Sequence, residues 1–313
     1  GRFSALSLFG LVPAALAGWD VAALLARAAA MADATRSDSD ENPGLSLGRT
    51  LAREAKAGRD KLVVLAAPDL ESFGIWLEQL VAESVGKEGK GVVPVAGAPA
   101  RDAAAYAPDA VFALLSHAGQ VGQPEALAGA LEAAGRTVLR FELDAPEALG
   151  AEFFRWEFAT AVLGAELGVN PFDQPDVQAA KDMTKAALAE LKSAGRLAAP
   201  APAAGDDAWS VAFSAASASA GQGAANNEEA LARFLAAAAP GNYGALLAYV
   251  ASDGRHADAL AALRRALAET TGLSVQGGYG PRYLHSTGQL HKGGPNTGLF
   301  LVLAREGGAD LEI

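Results

Sequence analysis

The chain has 313 residues, a formal charge of −11 and no cysteine. Excess negative charge repels phosphate backbones and anionic lipid, which argues against nucleic acid and membrane as the main partners, yet leaves room for a local pocket that holds one small phosphate. The lack of cysteine excludes disulfides and thiol chemistry, makes a structural zinc site a poor reading and fits a cytoplasmic location.

With 51% hydrophobic residues, the length suits about two domains. Residues 1–34 read as two helical pieces, with Val21, Leu24, Leu25 and Ala28 at helical spacing. Arg2 followed by ALSLFGLVPAALAG has the layout of a secretory leader, but Pro13 and Asp20 interrupt any membrane-spanning run. The chain opens on Gly and stops at GGADLEI, which reads as a piece of a longer protein. Asn42-Pro43-Gly44 opens the next helix, closed by Gly58.

Four short apolar runs follow, starting at Leu62, Val92, Val111 and Thr137, with helices expected over 70–84 and 124–134 between them. Strand–helix alternation predicts an α/β unit, a parallel sheet flanked by helices. Helices from Pro146 to Leu167 and from Pro175 to about Ala194 close it, giving a first domain over 1–195. The Pro- and Ala-rich stretch 196–208 reads as a linker, and 209–313 as a smaller C-terminal α/β unit. That unit holds a strand in WSVAFSA, helices from Asn227 and His256, a Gly-rich region over 273–294 and a final strand TGLFLVLA.

Gln79 and Glu83 stand four apart on the helix FGIWLEQLVAESV and share a face beside the stripe Leu70, Phe73, Leu77 and Leu80. Glu83 at the edge of a buried face is expected to have its pKa raised, which suits a base that abstracts a proton beside a carbonyl. The competing reading is a surface glutamate before a glycine-rich helix stop. In NPFDQPDVQAAK, Asp173 can cap a helix whose first residue is Pro175, with Lys181 two turns in; an ordinary capped helix explains the same pattern. GYGPRYLHSTGQLHKGGPNTG, from Gly278 to Gly298, concentrates His285 and His291 with other polar groups, and is either a ligand loop or a long surface hairpin. His-x5-His is no standard metal spacing, so no metal is expected. His117 reads as a strand-end residue, His256 as a helix-start residue and Glu157 as a member of a structural ion pair.

Together these segments resemble phosphoglucose isomerase. GRFSALSLFGLVPAAL is similar to the family's GGR-[FY]-S segment. LEQLVAESVGKEGKG resembles its Gln-x-x-x-Glu-Ser-x-Gly-Lys segment, and NPFDQPDVQAAK its Phe-Asp-Gln-x-Gly-Val-Glu-x-x-Lys signature. GLVPAAL and YGPRYLHSTGQLHKGGPNTG resemble the subgroup fused to a transaldolase. The resemblance implies the second sugar isomerase domain of an enzyme that interconverts glucose 6-phosphate and fructose 6-phosphate, with no cofactor. It implies Glu83 as the base, Arg2 as the group that stabilises the enediolate, Lys181 near the ring oxygen, and His291, or else His285, in ring opening. Gln79, Ser84, Lys87 and His285 are implied substrate contacts. The partners implied are the sugar phosphate, the absent first isomerase domain and a transaldolase, and a homo-oligomer is compatible. Asp176 and Gln178 depart from the signature's Gly and Glu. The alternative is a non-catalytic sugar-phosphate-binding or structural domain.

Overall fold

Alternation along one strand decides the layers of this protein. Leu62 and Val64 join one apolar core and Val63 and Leu65 join another, on opposite faces of a sheet. The computed structural model describes residues 2–195 and 201–305, and the side chains of these except 176–181. The first part runs α1 (Leu8–Leu16), α2 (Val21–Ala34), α3 (Pro43–Lys56), β1 (Lys61–Ala66), α4 (Glu71–Val85), β2 (Val93–Val95), β3 (Ala110–His117), α5 (Gln123–Ala133), β4 (Val138–Leu143), α6 (Leu149–Leu167) and α7 (Pro175–Ala194).

Strands β1 to β4 form a four-stranded sheet in the order β2-β1-β3-β4, parallel at every pairing. Strands buried on both faces need continuous apolar runs, which KLVVLA and AVFALLSH supply. One face packs on α3, α4 and α6 through Leu51, Leu77, Leu80 and Trp156. The other face packs on α5 through Ala128 and Leu131. The α/β reading of the sequence is thus the observed architecture.

The second part runs β5 (Pro202–Gly205), β6 (Ser210–Ala212), α8 (Ala218–Gly221), α9 (Asn227–Leu235), β7 (Tyr243–Tyr249), α10 (Gly254–Thr271), β8 (Val275–Tyr279), α11 (Gly288–Gly293) and β9 (Gly298–Ala304). Strand β5 pairs antiparallel with β6, so ordered structure reaches into the stretch expected as a linker. Strands β7 to β9 make a parallel sheet in the order β8-β7-β9. Its central strand, YGALLAY, was not expected, because Ala and Leu carry little strand preference.

One face of this sheet meets α10 through Leu246 and Leu267, while Tyr243, Ala245 and Leu247 on the other face enter the same core as Val63 and Phe112. The second sheet is therefore built onto the first part. Gln276 Nε2 donates to Pro94 O at 2.6 Å, and Arg264 donates to Ala96 O and Gly97 O at 3.0 and 2.8 Å, so β2 and β8 run side by side. Among the described residues, no helix is long and apolar enough to cross a membrane.

The end of α4 is fixed by close approach. A Cβ on Gly86 would lie 2.6 Å from Leu290 Cα and 2.6 Å from Ala82 O, so only glycine lets α11 seat there. Gln289 Nε2 donates to Gly86 O at 3.2 Å, and Gly89 N to Gly293 O at 2.8 Å. The stretch expected as either ligand loop or surface hairpin is thus a short helix with Gly288, Gln289 and Leu290 buried. Replacing Gly86 by Ala should destabilise the fold by about 1–3 kcal/mol through overpacking, seen as a lower midpoint in thermal unfolding, with the contacts of α11 weakened first in hydrogen exchange.

Candidate active site

Helix α4 presents Gln79 and Glu83 one turn apart, and residues from three distant stretches close around them. Gln79 Nε2 donates to Glu83 Oε2 at 3.0 Å and to the carbonyl of His285 at 2.8 Å. Arg2 approaches the same carboxylate, with Nε 3.7 Å from Glu83 Oε2. The Glu83 side chain is 13% exposed, and its Oε1 has no hydrogen-bond partner among the described residues.

Arg2 is 7% exposed although it stands in the segment before α1. Its Nη1 gives one proton to Pro171 O at 2.7 Å and one to Ser84 Oγ at 3.2 Å. Phe3 packs against Phe172 with ring centroids 5.0 Å apart, which seats the arm on the 170–173 turn. Burial lowers the pKa of the Arg2 guanidinium, opposed by the charges of Glu83 and Asp173. Nη2 makes no hydrogen bond among the described residues and is the donor left for a ligand.

Two implied substrate contacts change role. Lys87 is 1% exposed, and its ammonium donates to Asn170 O, Asp173 O and Asp173 Oδ1 at 2.7, 2.8 and 2.8 Å. Its three protons are spent on the 170–173 turn, so it ties that turn to the end of α4 and has none left for a phosphate. Ser84 is fully buried and accepts from Arg2, so it positions the guanidinium.

The two histidines separate. His285 is exposed beside Gln79. His291 turns away into the second sheet, among Tyr243, Tyr283 and Phe300, with ring centroids 5.0–6.3 Å away. Its Nε2–H donates to Gln276 Oε1 at 2.8 Å, which leaves Nδ1 buried without a partner among the described residues. A proton on Nδ1 would have no acceptor, and burial drives the pKa down to about 4, with a smaller push from Lys292. His291, the first candidate for opening the sugar ring, is thus packed among aromatic rings, apart from the groups that surround Glu83. Helix α7 carries Lys181, but the Lys181 side chain lies outside the described residues, as do those of Asp176 and Gln178.

Other expectations resolve locally. His117 Nε2 meets Asp69 Oδ2 at 2.7 Å, and Asp253 caps α10 by accepting from His256 N, with His256 Nδ1 2.7 Å from the same oxygen. Glu157 makes no ion pair among the described residues; its Oε1 is buried without a partner. Burial pushes its pKa up to about 7, and the nearby Ala5 backbone opposes the rise. The anchors Pro171 O and Asn170 O were not foreseen, since a carbonyl leaves no side-chain signature. Glu78 was also missed, although its small neighbours Gly74 and Ala82, four residues either side, marked a closely packed face.

No family model matches the chain. It is 36% identical over 228 residues to a glucose-6-phosphate isomerase of Rubrobacter xylanophilus, a match that covers 60% of this chain and 52% of that protein. It is 31% identical over 223 residues to a probable glucose-6-phosphate isomerase of Natronomonas pharaonis, with the same coverage of 60% and 52%. A glucose-6-phosphate isomerase of Symbiobacterium thermophilum is 32% identical over 227 residues, covering 60% of this chain and 50% of that protein. Among solved structures, the crystal structure of a hypothetical protein from Thermus thermophilus aligns with a TM-score of 0.52 and 28% identity, covering 60% of this chain and 55% of that one. The chain spans about half the length of the curated relatives it matches.

The raised pKa of Glu157 has a pH signature. Its folded pKa of about 7 exceeds the ordinary 4.5, so the folded state holds a proton that the unfolded chain has released between those values. Stability from this group is full below pH 4.5 and is lost as pH rises through 7. In thermal unfolding from pH 5 to pH 8, Glu157→Gln should therefore lose less stability with rising pH than the parent does.

Proposed function

We propose that this chain is the second isomerase domain, with a C-terminal extension, of a glucose-6-phosphate isomerase that interconverts glucose 6-phosphate and fructose 6-phosphate through a cis-enediol. The observation that carries the reading is the free Oε1 of Glu83, beside a buried guanidinium and oriented through its other oxygen by Gln79. The similarity to glucose-6-phosphate isomerases supports the same reaction class.

In this reading Glu83 removes the proton from C2 of the open-chain aldose and returns it to C1. The negative charge that develops on the enediolate oxygens is met by the Nη2 donors of Arg2, already desolvated and held by Ser84 and Pro171. The proton stays between two adjacent carbons, so the chemistry needs no hydride carrier. His285, exposed and with its carbonyl accepting from Gln79, is assigned to ring opening, and Lys181 to the sugar's ring oxygen.

The first isomerase domain, which would hold the phosphate, is assigned to another part of the same polypeptide. Helix α1 supports this, since Leu8, Phe9, Val12 and Leu16 stand 51–85% exposed along one apolar face. The segments GLVPAAL and YGPRYLHSTGQLHKGGPNTG favour the subgroup in which that polypeptide also carries a transaldolase. A cytoplasmic location goes with this reading.

The test uses the protein with both isomerase domains. Glu83→Gln should lower kcat about 10²–10⁴-fold with KM within a few-fold, because it removes the base and keeps the hydrogen bond from Gln79. An unchanged kcat rejects Glu83 as the base. His285→Ala should slow turnover of the ring-closed sugar phosphate while His291→Phe leaves that step unchanged, as measured with pre-equilibrated and freshly dissolved anomers.

A further inference from the structure

A second cluster of charge lies on α4, one residue before Gln79. Glu78 is 4% exposed, faces a cavity of about 220 Å³ between the carboxyl ends of β2 and β8, and touches none of the groups described for the candidate active site. Leu246, Leu260, Gly277 and Gly278 contribute the apolar wall. Oε2 of Glu78 has one long hydrogen bond, from Ala96 N at 3.4 Å, and Oε1 has none among the described residues.

Two guanidinium groups share this cavity. Arg264 is 7% exposed and donates to Val275 O, Gly97 O and Ala96 O, which leaves two of its five N–H groups unspent. Arg282 stands exposed at the rim, with no hydrogen bond or ion pair among the described residues. Both act on Glu78 through space, yet neither makes an ion pair with it. Two positive charges and one carboxyl thus face an empty space without closing on each other. A structural ion pair would have closed.

We propose that this cavity binds a small oxyanion, a carboxylate or a phosphate monoester, held between the Arg282 guanidinium and the Glu78 carboxyl. The sign of the charge decides the class: two guanidinium groups repel a cationic ligand and outnumber the single carboxyl. Desolvation pushes Glu78 up to about 7, with Arg264, the Ala96 N–H and Arg282 opposing the rise, so near neutrality its O–H is available as a donor to an anion. The charged groups that bear on Glu78 are Arg264 from α10 and Arg282 from the turn after β8. The carboxyl ends of parallel strands are also where α/β sheets leave room for ligands. This site does not depend on the isomerase reading, because its readout is binding.

The full chain is titrated by calorimetry with sulfate and, separately, with malonate, at pH 6.5 and pH 8; both probes keep nearly constant charge over this range. Binding of sulfate alone would identify a phosphate-type ligand, and binding of malonate alone a carboxylate. Either should bind about tenfold more weakly at pH 8, where Glu78 is ionised. Arg282→Ala, an exposed position that does not threaten folding, should weaken binding at least about tenfold. Glu78→Gln should retain binding with the pH dependence flattened, and Arg2→Ala should bind as the parent does. No binding of either probe, or binding that survives Arg282→Ala, overturns the proposal. Loss in Arg2→Ala would place the anion at the other site and also overturn it.

Discussion

A guanidinium withdrawn from water holds the candidate site together. Arg2 belongs to the first residues of the chain, a position where side chains usually wave in solvent. Here it spends its donors on Ser84 from α4 and Pro171 from the turn before α7, and its charge faces Glu83. A buried charge is tolerated only when its donors are satisfied and an opposite charge is near. The three segments must therefore come together or the arm cannot be buried at all. The geometry around Glu83 follows from that requirement.

Lys87 applies the same logic one turn further on. Its ammonium is fully enclosed, and the 170–173 turn is shaped to accept all three of its protons. Arg2 and Lys87 thus clamp one turn from two sides, and Phe3 on Phe172 fills the space between arm and turn. These cations look like phosphate ligands in the sequence. In the folded chain they are largely consumed in building the wall, and Nη2 of Arg2 keeps donors without a partner among the described residues.

Three glutamates on neighbouring helices show how environment, not residue type, sets chemistry. Glu83 is oriented by an amide and a guanidinium with one oxygen left free. Glu78 lies five residues earlier on the same helix, so it projects about 140° away around the surface of α4 and reaches a different cavity altogether. Glu157 on α6 is raised to about 7 by burial, with one oxygen buried without a partner among the described residues. His291 follows the same rule in the opposite direction, since an imidazole among aromatic rings with one bare nitrogen stays neutral.

The sequence by itself determined what depends on near neighbours. Apolar runs at Leu62, Val111 and Thr137 marked strands, Asn42-Pro43 and Pro175 marked helix starts, and the spacing of Gln79 and Glu83 put both on one face. What it left open depends on contacts between residues far apart. YGALLAY became the central strand of a sheet because two edge strands and two cores enclose it, not because its residues prefer that state. His285 and His291 sit on one short segment with the same side chain, yet one faces water beside α4 and the other is sealed against β7 and β9. Only tertiary structure separates them, because desolvation and hydrogen-bond partners come from segments that meet when the chain closes, and these decide which polar group is left free to act.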